Sequence, residues 1–485
     1  MKALHLLKIF FLCFLLFVTS VNLLNAKEKD FSNEKCDFHT GKHLRELSNI
    51  ASVKSIDIRV NNYKKWVRNS LSILTSSKDY EYNSYLSLND SKKIIRKINF
   101  ENKKLENLDF VWRNWRKISD YNYIQEKYKK KFNAKITVQY DFGTCKYNAR
   151  VRQSGDIQDH ISYDSDGFRQ SLNVQLKEGN IANIVNFKLF ISETRFSERE
   201  IFTTLLLREL GFLAPRTRSI KVTVNGVKSR MLFQENPVKE FLEKNLRREA
   251  PIFEGDETLI LDDMWRDTNK NLYKISLSKL ENKKWVLRGD NSLKMALKAY
   301  TDLQKLYMEQ RATPKSTSHS DIQKSLNLDS LTKSNKKARQ NFYEYEALVL
   351  LAMGCDHAMS SNNRKFYWNP LLDVFEPIYY DGSCVRKIPQ IKSNFFKFKN
   401  DNIFFFSKDF LPIIDNLILK IDQLDAKDFA TKALALCDGY DCIYRRNDSE
   451  GEVNLATMEV HDWKNYSPVV SFDTIKNYLP EIRTN

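Results

Sequence analysis

Leu348-Val-Leu-Leu-Ala-Met-Gly-Cys-Asp356-His357, then Ser360-Ser-Asn-Asn363-Arg-Lys-Phe-Tyr-Trp368, then Val374-Phe-Glu-Pro-Ile-Tyr-Tyr-Asp381-Gly382 is the stretch from which the fold is read. The apolar run stopped by Gly354 predicts a helix over Phe342 to Met353. A polar loop follows, and the aromatic runs on either side of Asn369-Pro370 predict two short strands around a turn. An acid or amide stands at each junction: Asp356 after the helix, Asn363 before the first strand, Asp381 after the second. Polar side chains are thereby gathered at the ends of buried elements.

Transfer of a phosphoryl group asks a protein for a base near the nucleophile and for oxygen ligands to the magnesium on the phosphates. Asp356 is the candidate base, and Asn363 and Asp381 are the candidate metal ligands. An Asp, an Asn several residues on, and an Asp beside Gly after a hairpin is the order found in protein kinases, without their His-Arg-Asp and Asp-Phe-Gly wording. Each residue also has a plain local reading, since an Asp after a helix-ending glycine and an Asp-Gly pair are both turn formers.

As an ordered set, the stretch resembles the spore coat protein H (CotH) kinase family. Its members carry an apolar helix, an Asp, a loop ending in Asn before an aromatic strand, and a strand closing on Asp. Upstream, Ala214-Pro215, the hairpin Ser219 to Phe233 around Asn225-Gly226, and Gln234-Glu235 leading to Phe241-Leu-Glu243 extend the resemblance. It covers roughly Tyr140 to Asp381. By this resemblance the segment after the hairpin borders the nucleotide base, which makes Gln234 and Glu235 candidate lining residues. A basic strand lies over the nucleotide in the same family, which makes Arg150 and Arg152 candidate phosphate contacts. No glycine-rich phosphate loop can be drawn beside them, and both also read as solvated strand residues.

Phe187-Lys188-Leu-Phe-Ile191 predicts a buried strand with one lysine inside it. A lysine among apolar neighbours must find an anion or keep its head in water. Holding the α- and β-phosphates of ATP is its best use, as for the strand lysine of kinases. Ser197-Glu-Arg-Glu200 reads as a capping box that opens a helix closing at Gly211. Glu200 is then either the cap partner or, by kinase analogy, the partner of Lys188. Asn236 and Pro237 predict the start of another helix.

Met1 to Ala26 carries two lysines, an apolar run from Ile9 to Val18 and a small residue at Ala26, the pattern of a secretory signal peptide or an N-terminal anchor. The chain of 485 residues has a formal charge of +17, and removal of Lys2 and Lys8 with that leader leaves 17 − 2 = +15. So basic a surface favours anionic partners: nucleotide, an acidic protein or an acidic polysaccharide. Nucleic acid is not expected, because the basic residues are spread rather than gathered on one motif. The basic amphipathic stretch Asn89 to Phe132 allows a membrane-surface contact.

Six cysteines outside the leader read as disulfides in an exported chain. Cys355 with Cys384 is the expected pair that ties the loop of Asp356 to the loop of Asp381, and Cys437 with Cys442 would close a small loop. A metal site at Cys36, His39 and His43 lacks a nearby fourth ligand.

The expected fold is α+β: a kinase-like two-lobe core over 134–436, with an antiparallel-sheet N-lobe and a mostly helical C-lobe. A signal peptide over 1–26 and a helical N-terminal extension over 27–133 precede it, and a cap over 437–485 follows. The resemblance implies ATP-dependent phosphotransfer with Mg2+ or Mn2+ to a hydroxyl of a protein or envelope polymer. The rival expectation is a catalytically inactive relative that binds or scaffolds an acidic envelope polymer. A glycan hydrolase using Asp356 and Asp381 is a third and weaker one.

Overall fold

The computed structural model describes residues 36, 43–74, 124, 126–164, 167–195, 198–255, 278–312, 328–359, 363–382, 384, 411–438, 447–448, 451–452, 475–477 and 479–480. The leader, most of the stretch 89–132, and Cys442 lie outside them.

Alternation of apolar and polar residues builds the first half. β1 (Ser55–Val60) buries Ile56, Ile58 and Val60, and β2 (Phe132–Tyr140) and β3 (Gly143–Gln153) bury every second residue. A small hairpin, β4 (Ile161–Asp164) with β5 (Gly167–Gln170), stands apart. β6 (Leu172–Leu176), β7 (Asn186–Ile191), β8 (Thr217–Val224) and β9 (Val227–Glu235) complete the set. The strands close into a barrel in the order β1-β2-β3-β6-β7-β9-β8. All neighbours are antiparallel except β1 and β8, which run parallel with Ile56 opposite Val222 and Ile58 opposite Val224. One face of this register is continuously apolar: Ile136 opposes Tyr147, Val151 opposes Val174, and Leu189 opposes Phe233.

The chain is thus a mixed α+β protein, and its β unit differs from the expected antiparallel sheet. Within the helical extension expected over 27–133, Leu44–Ser48 and α1 (Tyr63–Leu74) are helical, but Ser55–Val60 is a strand. Its β-branched alternation wins because two waiting edges, β2 and β8, satisfy its main chain on both sides. Part of the expected N-terminal extension is therefore a wall of the barrel.

Asn225 (φ +49°) and Gly226 (φ +93°) make the tight turn between β8 and β9, both in the left-handed region that a type I′ turn requires. The helix after β9 starts later than Asn236-Pro237 suggested, at Lys239–Lys244 with Val238 as its cap residue. The Asn236 N–H is still tied to the barrel, donating to the Asn186 carbonyl at 3.0 Å.

A second sheet holds the stretch first quoted. β10 (Ile252–Gly255), β11 (Ser278–Leu280), β12 (Lys365–Asn369) and β13 (Val374–Ile378) run in the order β11-β10-β12-β13. Phe253, Phe366, Trp368 and Phe375 of this sheet pack with Leu303 and Tyr307 of the helix Asp290–Ala312 and with Phe342 of the helix Lys336–Glu346. The latter helix is capped by Asn335, whose side chain accepts from the Ala338 N–H. It then widens into a π-helical turn over Ala347–Ala352 and stops at Gly354 (φ +59°). The backbone at the head of the candidate site is therefore one residue out of α-helical step.

Two disulfides are present. Cys36–Cys145 ties the segment ahead of β1 to β3, so Cys36 is not a metal ligand with His43. Cys355–Cys384 joins the two loops as expected. Such bonds indicate an oxidising compartment, extracellular or periplasmic. Cys437 is buried, and its expected partner Cys442 falls outside the described residues. Among the described residues no helix is long and apolar enough to cross a membrane.

Candidate functional site

Outward-pointing positions of the barrel form a row across four adjacent strands: Arg152, Asn173, Lys188 and Gln234 face one another by register. The Lys188 ammonium donates to the Tyr380 hydroxyl at 2.7 Å and stands 4.8 Å from the centre of that ring. Arg195, at the end of the short turn Ser192–Arg195 that follows β7, brings its guanidinium 2.7 Å from Asp381 Oδ2. It also donates to the Tyr380 hydroxyl at 3.4 Å. From the second sheet, the Lys365 ammonium lies 4.1 Å from the centre of the same ring. Tyr380 is thus set among three cations, and the seam between barrel and sheet is strongly charged.

Asp381 sits at φ +51°, a left-handed backbone that costs a non-glycine residue free energy and is found where surrounding contacts enforce it. His357 Nδ1 donates to the Asp381 carbonyl at 2.8 Å and lies 3.6 Å from its Oδ2. The Asn363 amide nitrogen lies 2.7 Å from the same Nδ1. Burial opposes ionisation of Asp381, but Arg195 and His357 outweigh it and hold the carboxyl well below the usual carboxylate range. Burial likewise works against a charged His357, and the Asp381 carboxylate and its hydrogen bonds reverse this, raising the imidazole to about 9.

The structure therefore joins Lys188, Asp381 and Asn363 by one chain of contacts. Asp356 opens the helical turn Asp356–Met359 one residue before His357, and its side chain lies outside the described part of the structure. Arg152 shares the outer row with Lys188 but is one strand removed, about 10 Å at ordinary strand spacing. Arg150 is exposed on the next row.

Glu200, Gln234 and Glu235 are all engaged by other protein groups. Glu200 does not reach Lys188: its Oε1 accepts from Gln234 Nε2 and its Oε2 from the Tyr379 hydroxyl, each at 2.7 Å. Its expected role as cap partner turns on Ser197, which lies outside the described residues. Gln234 is buried with its Nε2 donated to Glu200, and its Oε1 has no hydrogen-bond partner among the described residues. Glu235 is buried in a two-pronged pair with Arg216, which donates from Nε at 2.8 Å and from a terminal nitrogen at 2.6 Å. Its charge is spent on holding β8 to β9.

Arg195, His357, Tyr380 and Lys365 carried no role in the sequence reading. For Lys365 the signal was present, a lone lysine beside Phe366-Tyr-Trp like Lys188 in its own strand. For Arg195 there was none, because its partner lies far along the chain.

Burial pushes Glu200 up, from 4.5 to about 7, against the hydrogen bond from Tyr379. A folded-state value raised above the unfolded one means stability that is full below pH 4.5 and is lost as pH rises through about 7. The gap corresponds to about 3 kcal/mol. Glu346, also buried and raised to about 7, acts in the same direction, and so does His357 between 6.5 and about 9. Urea unfolding is expected to show stability falling from pH 5 to pH 8, with a clearly smaller fall in Glu200→Gln.

Gly382 is closed in by its neighbours. A Cβ there would stand 2.4 Å from the Tyr379 hydroxyl and 2.9 Å from Cys355 Cβ. Gly382→Ala is expected to lower the unfolding free energy by about 1–3 kcal/mol, the usual cost of overpacking, and to displace the Asp381 segment. Thermal melting reads the first effect and the His357 imidazole resonances the second.

Among the described residues no group of three or more His, Cys, Asp or Glu is placed to hold a metal ion. Asp381 and Asn363 offer one carboxylate and one amide. That donor set suits a cation that arrives with phosphate oxygens, as Mg2+ does on a nucleotide, and not one held by protein alone. Comparison of the chain with protein-family models and with curated proteins finds no match.

Proposed function

We propose that this protein is a secreted, kinase-like phosphotransferase that moves the γ-phosphoryl group of ATP to a hydroxyl acceptor on a protein or an envelope polymer. The observation that carries this reading is the contact chain Lys188–Tyr380–Arg195–Asp381–His357–Asn363, which gathers residues far apart in sequence at one seam. In this reading Lys188 and Arg195 bind and orient the phosphates, and their fixed positive charge favours the charge spread of the transition state. Asp381 and Asn363 would hold the Mg2+ or Mn2+ that accompanies the nucleotide, which supplies further charge neutralisation. By its likeness to CotH kinases, Asp356 is the group that takes the hydroxyl proton.

A second reading is favoured by one observation. Arg195 and His357 already neutralise the Asp381 carboxylate, as suits a catalytically inactive relative that binds an acidic envelope polymer. The formal charge of +17 supports the same partner.

Melting and labelling experiments separate the two. With millimolar ATP and Mn2+ the melting temperature is expected to rise, since a ligand at a hundred times its Kd adds about 2.7 kcal/mol. The labelled γ-phosphoryl group is expected to appear on protein or on an acidic acceptor, and Lys188→Met to lose both effects. A protein that ignores ATP but is stabilised by an acidic polysaccharide belongs to the second reading.

A further inference from the structure

The outer face of β2 and β3 carries a positive charge to which the seam gives no use. Alternation turns Lys135 of β2 and Lys146, Arg150 and Arg152 of β3 away from the core; Arg152 is half-buried and the others are exposed. Lys131, the residue before β2, is exposed beside Arg152, because Phe132 opposes Val151. Outward positions recur about 7 Å apart along a strand and about 5 Å apart across the sheet, so these cations form one continuous field.

The neighbouring acids are already engaged. Asp57 of β1 lies 3.3 Å from the Arg59 Nε, and Glu178, beyond β6, accepts from both the main-chain and the side-chain nitrogen of Asn148. Lys131, Lys135, Arg150 and Arg152 have no carboxylate partner among the described residues.

The groups between the cations narrow the chemistry. Asn148 lies opposite Lys135, Asn133 and Gln175 lie on either side of Arg150, and Asn173 lies opposite Arg152. Amides both donate and accept, as the hydroxyls of a sugar require. The outward positions of β2, β3 and β6 include no aromatic or aliphatic side chain. The face therefore offers neither the stacking platform that holds nucleic-acid bases nor the apolar side that enters a membrane. It also has a direction. Arg152, Asn173 and Lys188 follow one another across β3, β6 and β7, so the basic face runs into the seam.

We propose that the outward face of β2, β3 and β6 binds a linear carboxylated polysaccharide, held by charge at Lys135, Arg150 and Arg152 and by hydrogen bonds at Asn133, Asn148 and Asn173. This rests on the acidic envelope polymer of the readings above, as acceptor or as partner, and gives it a surface. Arg150 and Arg152 thereby serve the polymer and not the phosphates of a nucleotide.

The test measures binding of polygalacturonate to the full chain by titration calorimetry. A face variant combines Lys135→Gln, Arg150→Gln and Arg152→Gln. A control variant combines Lys294→Gln, Lys305→Gln and Lys337→Gln, which removes the same charge from exposed helical positions beside the second sheet. Circular dichroism checks that both fold. Polygalacturonate is expected to bind the wild type with an affinity that falls as salt rises, and its methyl ester, which keeps the sugars without the charge, is expected not to bind. The face variant is expected to lose about tenfold or more in affinity, three exposed contacts being removed together, and the control variant about twofold at most. Equal losses in the two variants would overturn the proposal, since net charge and not this face would hold the polymer, and would leave the polymer standing as partner. Tighter binding of single-stranded DNA or of phosphatidylglycerol vesicles than of polygalacturonate would overturn it as well. A wild type that ignores polygalacturonate removes the face and the polymer together, and the ATP-induced melting shift then decides the phosphotransfer reading by itself.

Discussion

Arg216→Ala is expected to lower the unfolding free energy by about 3–5 kcal/mol, the usual cost of removing one partner from a buried ion pair. Arg216 and Glu235 are 6% and 2% exposed, and the arginine meets both oxygens of the glutamate while donating to the Ala182 carbonyl at 2.5 Å. Truncation would leave a carboxylate stranded at the end of β9 and a carbonyl without its donor. The loss belongs to the uncompensated charge and not to the bond itself, so Arg216→Met combined with Glu235→Leu is expected to recover most of it. Urea unfolding of the two variants decides the matter: equal losses in both would show that packing around the arginine stem, not its charge, is what matters.

The second large effect is expected at Asp381. Asp381→Asn keeps the volume and removes the charge, leaving the Arg195 guanidinium, 10% exposed, without its closest anion. A stability loss of about 3 kcal/mol follows by the same reasoning. The change also has a signature independent of any activity. His357 is raised to about 9 chiefly by the Asp381 carboxylate, so in the variant its value is expected to fall toward the ordinary 6.5, as followed by imidazole resonances against pH. If phosphotransfer is the function, kcat is expected to drop by about 10²–10³-fold together with it, the scale on which removal of one preorganised electrostatic contact is felt. An imidazole that still titrates near 9 in Asp381→Asn would mean that the geometry around Asp381 is not as described.

Local chemistry made much of this fold legible. The hairpin of β8 and β9 announces itself through Asn225-Gly226, and the hairpin of β2 and β3 through strict alternation up to Asp141-Phe-Gly143. The pairing of Cys355 with Cys384 was readable because both cysteines flank the loops that the site needs together. Other features depend on contacts that sequence separation hides. β1 is six residues long and lies between two helical segments, so nothing nearby says that its partners are β2 and β8. Gln234 and Glu235 were candidates for a nucleotide only through the family resemblance, and no sequence signal announced that Glu200 and Arg216 would bind them. Lys188, Asn363 and Asp381 are linked only through Tyr380, Arg195 and His357, which the folded chain alone brings to them.

The parallel pairing of β1 with β8 has a consequence for biogenesis. The barrel cannot seal until Thr217–Val224 has emerged, roughly 10–30 s after β1 at ordinary rates of translation. During that interval the early strands expose unsatisfied edges, the state in which nascent β structure is most prone to pair with the wrong chain. A polypeptide cut short before Glu235 lacks the staves β8 and β9 and is thus condemned to keep an open rim.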